Sequence, residues 1–293
     1  MTASCYGEAR SGVSLIAVIL GLTSALTWGA ADFTGGLASR KTGAYRAVFY
    51  AEMLGLSIIF VVAMIIWQPI PDVSVWLLAM AAGALGTSGL LLLYHSMTKG
   101  LMSIATPVSA LLAAVVPVVV GSFIEGSPGL LIFVGFAFAL AAVWLISQSE
   151  DGITDLLKHL TDLQLPLLAG VGFGLYFVLM HSATRHVTYW PMVSSRLGGL
   201  LIIAVYMTIS HEPWRPAKSA ASMIVLNGLL DIGGNLFFVL AGQAGRLDIA
   251  SVLSSLYPGS TVVLAWIFLR ERLSRTQWMG IAAALVAIVL MTI

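Results

Sequence analysis

Long apolar segments separated by short polar connections fill almost the whole of the 293-residue chain. A helix needs about 20 mostly apolar residues to cross the hydrocarbon core of a bilayer. Only 9% of the residues are charged, against about 25% in soluble domains. The sequence therefore predicts an all-α polytopic membrane protein with ten transmembrane helices, at about 14–37, 44–67, 73–97, 101–123, 128–148, 165–185, 191–210, 219–243, 247–269 and 276–293.

The sparse charges also exclude several classes of partner and cofactor. A formal net charge of +1 leaves no basic face for nucleic acid. The single cysteine, Cys5, cannot form an intramolecular disulfide or a cysteine-rich metal site, and we expect neither a metal nor a cofactor. The first 13 residues are too short and polar for a signal peptide, so the first apolar segment is predicted to be a permanent span.

A weak internal repeat relates the two halves of the chain. The segment at 94–112 aligns with the one at 239–257, and a polar connection lies between them. We predict three parts: a first five-helix repeat at 14–148, a linker at 149–164 and a second five-helix repeat at 165–293. Because five is odd, the halves enter the membrane in opposite orientations. Inverted repeats of this kind are typical of secondary transporters, with the substrate site between the halves.

Lysine and arginine residues in the short loops predict the orientation of the chain. Ten of them fall on one side of the predicted membrane and three on the other, which also holds both termini. The sequence therefore places both termini away from the cytoplasm, in a multi-pass protein of the cytoplasmic (inner) membrane.

Most charges lie in loops or at the ends of the predicted spans, but four charged residues lie further inside: Asp32, Glu52, Arg196 and Asp231. A charge at the bilayer centre costs at least ~2.5–3.5 kcal/mol, so such residues usually face a cavity or a partner. Asp32 lies toward the basic end of its span. We expect it either to line the mouth of a cavity or to pair with Arg40 or Lys41 at the interface.

Asp231 is the deepest of the four, about 16 Å into the eighth span at 1.5 Å per residue. No basic residue lies near it in "LLDIGGNLFF", and Asn235 follows one turn later on the same face. We predict an unpaired carboxylate that binds substrate or a proton. A polar contact between packed helices is the alternative.

Glu52 and Arg196 occupy equivalent positions when "AEMLG" (51–55) is aligned with "SRLGG" (195–199). Three interpretations follow from this position. The two side chains pair across the halves, each gates one mouth of a cavity, or each is neutralised locally and holds helices together.

Aromatic and histidine side chains supply further candidates for a substrate or proton pathway: Trp28, Tyr94, His95, Tyr176 and Tyr257. Contact with lipid or with another helix is the alternative for each of them. Pro107, Pro117 and Pro258 lie inside the fourth and ninth spans, where proline frees backbone carbonyls and kinks the helix. Kinks in equivalent helices suit bending as access alternates, although static kinks are equally allowed.

A family resemblance is carried by "LDIASVLSSLYPGSTVVLAWIFLRERLSRTQWMGIAAALVAIVLMTI" (247–293). This stretch resembles the last two helices of EamA-type transporters of the drug/metabolite transporter superfamily, whose pattern it matches at Ser254, Ser255, Pro258, Glu271 and Gly280. "LTWGAADFTGGLASRK" (26–41) is similar to the first-helix signature of one branch of that family. The first half departs from the pattern, because "FIEGSPG" lacks basic flanks around Glu125.

The resemblance implies a carrier of small metabolites or drug-like compounds, often an exporter, without enzymatic activity. Its expected partners are a small-molecule substrate and the lipid bilayer. Coupling to protons is left open, as is the choice between monomer and homodimer.

Two other functions are weighed against a carrier. A passive facilitator or channel would share the fold. An intramembrane serine protease would use Ser88 of "GTSG" (86–89) as its nucleophile, but His95 lies about two turns away, too far to act as its base.

Overall fold

The computed structural model describes residues 14–98, 102–147, 163–270 and 273–292. Within these ranges the chain forms helices and short connections, and no strand is present. The helices are α1 (Leu15–Thr42), α2 (Ala44–Ile66), α3 (Val73–Thr98), α4 (Met102–Ile124), α5 (Leu130–Ser147), α6 (Gln164–Ala183), α7 (Tyr189–Ile209), α8 (Ala221–Ala244), α9 (Leu247–Ser254), α10 (Tyr257–Leu264) and α11 (Arg275–Thr292). A 3₁₀ turn at Lys218–Ala220 precedes α8, and a π-helical turn at Ala265–Leu269 follows α10.

Nine segments of the described chain are long and apolar enough to cross a bilayer, and many of their large apolar side chains are exposed on the outer surface. The protein is therefore a multi-pass membrane protein. The fourth predicted span corresponds to helix α4, which runs from Met102 to Ile124. The predicted linker at 149–164 lies outside the described residues except for its last two, as do Cys5 and Glu271.

The ninth predicted span is interrupted. Its first helix, α9, ends at Ser254, and α10 starts at Tyr257 with Pro258 in its first turn, where proline costs least. By contrast, α4 runs as one helix through Pro107 and Pro117. An interruption therefore coincides with one of the three prolines that the sequence singled out.

The packing of the helices joins the two halves of the chain throughout. Helix α1 packs along α8, and α3 packs along α6 and α7. Helix α4 contacts α6, while α1 contacts α9 and α10. Helices α2 and α7 contact each other, as do α5 and α11. The core therefore lies between the halves rather than within each of them.

Glycine permits the closest of these crossings. A Cβ atom on Gly83 would overlap the carbonyl oxygen of Ser195, and one on Gly198 would overlap the carbonyl oxygen of Met80. Helices α3 and α7 therefore meet backbone to backbone, which is the arrangement that small residues allow in membranes.

The bundle has two ends that are built differently. At the Gly43 end, Gly43 connects α1 to α2 at a φ of 87°, and Ala217 donates its N–H to the Thr42 hydroxyl at 2.9 Å. The opposite end, which we call the terminal end, contains Ser14 at the start of α1 and the loop at 125–129. The connection between α8 and α9 joins them there, since Gly245 lies against Ala17 and Arg246 lies against Glu125.

Candidate functional site

A buried guanidinium joins two carboxylates at the centre of the bundle. Arg196 on α7 is 6% exposed. Its Nη1 lies 2.6 Å from Oε2 of Glu52 on α2, and its Nη2 lies 2.5 Å from Oδ2 of Asp231 on α8. Gly55, one turn after Glu52, lies beside this side chain, since a Cβ there would be in van der Waals contact with the guanidinium carbon at 3.6 Å. We call Glu52, Arg196 and Asp231 the central triad.

The central triad tests two sequence predictions, on the pairing of Asp231 and on the pairing of Glu52 with Arg196. The prediction that Asp231 is unpaired is wrong, because Arg196 reaches it from the neighbouring helix. The local sequence could not show this, since the partner is 35 positions away on another helix. Glu52 and Arg196 are paired across the halves, the first of the three interpretations, and not separated at two mouths.

Asn235 continues the polar network from the triad toward α6. Its side-chain Nδ2 donates to the carbonyl oxygen of Asp231 at 2.7 Å and approaches the Asp231 carboxylate at 3.4 Å. Its Oδ1 accepts a hydrogen bond from the hydroxyl of Tyr176. The one-turn spacing of Asp231 and Asn235 therefore produces the contact that the sequence predicts, with Tyr176 as the third member.

Asp32 lies on the interior face of α1. At 100° per residue, it is rotated about 120° around the helix from Leu26, which faces lipid. It shares its side of the helix with Trp28, one turn earlier. Its side chain is nevertheless exposed. An exposed carboxylate on an interior helix face indicates a solvent-accessible cavity, since exposure to lipid would be strongly unfavourable.

The cavity around Asp32 is lined by groups from other helices. Asp32 is close enough to interact electrostatically with Asp231 on α8, Tyr94 on α3 and Tyr257 on α10. The alternative of an interfacial pair is not observed in the described residues, because Asp32 forms no ion pair there with Arg40 or Lys41. Lys41 instead donates to the carbonyl oxygen of Ser219 at 3.3 Å.

Trp28 packs against an aromatic pair in the buried core. The Trp28 ring lies 5.7 Å from that of Phe177 and 5.9 Å from that of Phe238, and the two phenylalanine rings are 4.7 Å apart. Gly234 permits this stack, because a Cβ at that position would overlap the indole. Trp28 is therefore fixed by packing within the protein and does not face lipid.

The remaining sequence candidates lie further from the triad. The Tyr94 ring lies 6.0 Å from that of Tyr45, at the start of α2, so Tyr94 is near the Gly43 end of the cavity. His95 is exposed at the next position of α3. Ser88 lies in the middle of the same helix, about 10 Å along the axis from His95, which does not form a nucleophile–base pair.

The terminal end of the bundle is closed by an ionic network. Arg246, between α8 and α9, pairs with Asp248 at 2.7 Å and donates to the carbonyl oxygens of Glu125 and Gly126 at 3.2 and 2.7 Å. Glu125 accepts from the backbone N–H of Leu247 at 3.1 Å. We call Glu125, His181, Arg246 and Asp248 the terminal network.

His181 and Gln243 tie two further helix ends into this closure. His181, at the end of α6, lies 3.3 Å from the carboxylate of Glu125. Gln243, at the end of α8, donates to the carbonyl oxygen of Thr184 at 2.5 Å. The fully buried Asp248 was missed by the sequence analysis, although its place in the first turn of a helix, two residues after Arg246, is a signal for such a role.

The carboxyl group of Glu125 is the titratable centre of the terminal network. Partial burial raises its pKa, but the hydrogen bonds from His181 and from the Leu247 N–H, together with the Arg246 charge, outweigh burial and hold the pKa of Glu125 below its ordinary value of 4.5. A carboxyl with a lowered folded-state pKa stabilises the fold above its unfolded pKa, and this stabilisation is lost as the pH falls through the folded value.

We therefore expect the thermal stability of the detergent-purified protein to fall as the pH is lowered from 5 to 3, with a smaller fall for Glu125→Gln. Melting temperatures at closely spaced pH values measure this. Exposed Asp72, replaced by Asn, is the control and is expected to follow the wild type. Identical pH profiles for wild type and Glu125→Gln would contradict the prediction.

Comparison with known proteins assigns the second half of the chain. Residues 162–293 match the EamA-like transporter family, as the C-terminal resemblance predicts. This half of the chain is similar to EamA-like transporters. It supplies Arg196 and Asp231 to the central triad and Arg246 and Asp248 to the terminal network, whereas the preceding half supplies Glu52 to the triad and Glu125 to the network.

Relatives of the chain are found in bacteria and archaea. An uncharacterized transporter of Synechocystis, sll0355, is 31% identical over 134 residues, which are 42% of this chain and 39% of that protein. The chain thus matches about two fifths of the length of this relative. The uncharacterized protein MJ1333.1 of Methanocaldococcus jannaschii is 25% identical over 45% of this chain and 97% of its own length.

The fold also occurs in a protein of known crystal structure. That structure superposes with a TM-score of 0.73 at 18% identity, covering 94% of this chain and 96% of the other. The likeness of fold therefore extends over both halves of the chain, including the residues that precede the family match.

Proposed function

We propose that the protein is a secondary transporter of small molecules that exposes the cavity between its two halves to each side of the membrane in turn. The central triad carries this proposal. It places three charged groups in the middle of the bundle, where burying a charge costs free energy, and these groups come from helices of both halves. Charges in such a place mark a substrate or ion pathway more often than a structural role.

The difference between the two ends of the bundle supports alternating access. At the terminal end, the terminal network closes the space above α9, all eight residues of which are buried. Toward the other end, Asp32 remains exposed on the interior face of α1. A transporter that alternates access is closed at one end and accessible from the other in each of its two end states, and the bundle matches one such state.

The helix contacts support two inverted five-helix repeats, in which the continuous helix α4 is the counterpart of the interrupted α9–α10 pair. If α1–α5 are exchanged with their counterparts in the second half, the α1–α8 contact becomes α6–α3, and the α4–α6 contact becomes the contact of α9 and α10 with α1. Each exchanged pair is a contact of this structure. The relative from Methanocaldococcus, which matches along 97% of its length, supports a unit of about half this chain.

We also propose that transport is directed out of the cytoplasm and is coupled to protons. Export follows from what is frequent among similar transporters. Proton coupling rests on the excess of carboxylates over guanidinium groups around the cavity, since a carboxylate that exchanges a proton for substrate must change its charge during the cycle.

A cross-link across the terminal end tests alternating access directly. A Cβ on Gly121 of α4 would lie 3.4 Å from the Cβ of Asp248 on α9, close to the separation of about 3.5–4.5 Å that a disulfide needs. In a Cys5→Ala background, Gly121→Cys/Asp248→Cys is expected to form a disulfide that prevents this end from opening. Flux of labelled amino acids, nucleosides, sugars and organic cations into proteoliposomes is expected to fall to the level of empty liposomes, and to return on reduction.

A second pair with the same Cβ–Cβ separation provides the control. A Cβ on Gly135 of α5 would lie 3.4 Å from the Cβ of Leu290 on α11, and these two helices pack at the periphery of the bundle. Gly135→Cys/Leu290→Cys is expected to cross-link without loss of flux. Undiminished flux through the oxidised Gly121–Asp248 pair would contradict alternating access and favour a passive facilitator of the same fold.

A further inference from the structure

We infer that the Gly43 end of the bundle binds the headgroup of an anionic phospholipid at a cluster of basic side chains. The cluster lies where the α1–α2 corner meets the connection between α7 and α8. Its members, which we call the basic cluster, are Arg40, Lys41, Arg46, Arg215 and Lys218. This inference concerns the surface of the protein and does not depend on the proposed transport function.

The tertiary structure brings the two basic segments together. Lys41 donates to the carbonyl oxygen of Ser219 at 3.3 Å, and Nη1 of Arg46 donates to the carbonyl oxygen of Arg215 at 3.4 Å. The partners in these two bonds are 178 and 169 positions apart in the chain. The basic cluster is therefore a joint product of the two halves and not a run of charges in one loop.

A small apolar core supports the basic cluster from within the bundle. It consists of buried side chains from α1, α2, the 3₁₀ turn and α8, namely Ala38, Ala47, Ala220 and Ile224. This core fixes the α1–α2 corner against the start of α8. The surface that carries the charges is therefore formed before any ligand binds, which lowers the entropy cost of binding.

The charges of the basic cluster are not neutralised within the described part of the chain. None of its five members forms an ion pair there. Glu212 lies at the same end, but it interacts with Tyr45. Arg46 also retains a buried Nε that has no hydrogen-bond partner among the described residues. Like charges in one cluster repel each other, so an anion bound among them is favoured.

The surroundings of the basic cluster suit a lipid rather than a soluble anion. Trp214, which precedes Arg215, is 42% exposed, and its ring lies 5.3 Å from that of Phe49 on α2. Met53, one turn further along α2, is 43% exposed. Tryptophan is enriched at the level of the lipid headgroups. A phospholipid would thus place its phosphate on the basic side chains and an acyl chain along Phe49 and Met53, as basic sites between membrane helices do with anionic lipids.

Native mass spectrometry of the detergent-purified protein tests the inference. The protein is titrated with dioleoylphosphatidylglycerol and with dioleoylphosphatidylcholine, which share their acyl chains and differ in headgroup charge. The anionic lipid is expected to bind at least about tenfold more tightly. One basic residue near an anionic headgroup changes affinity about fivefold. Arg215→Gln is therefore expected to weaken the anionic lipid about fivefold and Arg215→Gln/Lys218→Gln about 25-fold, with the zwitterionic lipid unchanged.

Two control variants separate the charge from its position and from folding. Arg185→Gln removes the same charge from an exposed position at the terminal end and is expected to leave the affinity for phosphatidylglycerol unchanged. Arg215→Lys keeps the charge and is expected to retain most of the affinity. The hydrogen bond from Arg46 reaches the backbone carbonyl of Arg215, so none of these substitutions removes it. Equal affinity for the two lipids, or wild-type affinity in Arg215→Gln/Lys218→Gln, would overturn the inference.

Two other occupants of the basic cluster are distinguished by the same measurement. The acidic residues Glu150 and Asp151 lie in the linker at 149–164. Preference for phosphatidylglycerol that appears only in Glu150→Gln/Asp151→Asn would assign the cluster to the linker and overturn the inference. Glycerol 3-phosphate carries the phosphate without acyl chains. Complete displacement of the lipid by equimolar glycerol 3-phosphate would assign the cluster to a soluble anion and overturn the inference, whereas retention of the lipid supports it.

Discussion

Replacement of Arg196 by Gln is expected to abolish transport and to destabilise the protein more than any other single charge removal. The substitution would leave Glu52 and Asp231 facing each other without the guanidinium that now lies 2.6 and 2.5 Å from them. Removing one partner of a buried ion pair costs about 3–5 kcal/mol, and here two carboxylates lose their partner together. Melting temperature in detergent and flux into proteoliposomes measure the two effects.

Two comparisons separate charge from packing in this experiment. Exposed Arg185, replaced by Gln, is expected to behave as the wild type. Adding Glu52→Gln and Asp231→Asn to Arg196→Gln is expected to restore much of the stability, because no uncompensated charge remains, but not the transport. An Arg196→Gln protein as stable as the wild type would contradict the description of the triad as a buried ionic cluster.

Gly83→Ala is expected to produce the second large effect, through packing alone. The added methyl group would overlap the carbonyl oxygen of Ser195 on α7, and backbone atoms cannot turn away as a flexible side chain would. Overpacking of a dense contact costs about 1–3 kcal/mol and occasionally more. Because α3 and α7 also position Tyr94 and Arg196, we expect a lower melting temperature together with a loss of flux.

Gly36→Ala is the matched control for this substitution. Gly36 is also a helix-interior glycine, but a Cβ at its position would have no atom of the protein within 4 Å. We expect its melting temperature to equal or exceed that of the wild type, because alanine favours the helix by about 1 kcal/mol over glycine. Equal stability of the two variants would show that the α3–α7 contact relaxes at no cost.

Several features of the site were predictable from the sequence because they depend on spacing along one helix. Asp231 and Asn235 are one turn apart, and the structure joins them directly. Asp32 and Trp28 share a face of α1 for the same reason. The interruption of the ninth span at Ser255–Leu256 lies next to Pro258, whose missing N–H makes it the natural start of a new helix.

Contacts between helices were less predictable, because each depends on how two helices rotate against each other. Pairing of Glu52 with Arg196 was one of three open interpretations, and the bond from Arg196 to Asp231 was not expected at all. The role of Asp248 was unpredictable for the same reason. Its burial follows from the packing of α9 against α4 and not from its neighbours in the chain.

The sequence by itself determined that the chain crosses a bilayer, because apolar segments of this length have no other favourable environment. It also determined which ionisable residues lie within the spans, since their distance from each span end follows from the helical rise. Tertiary structure alone decided which charges meet. Between helices that lie in hydrocarbon, contacts depend on close packing at small residues such as Gly83 and Gly198. Where two backbones can approach is a property of both helices together.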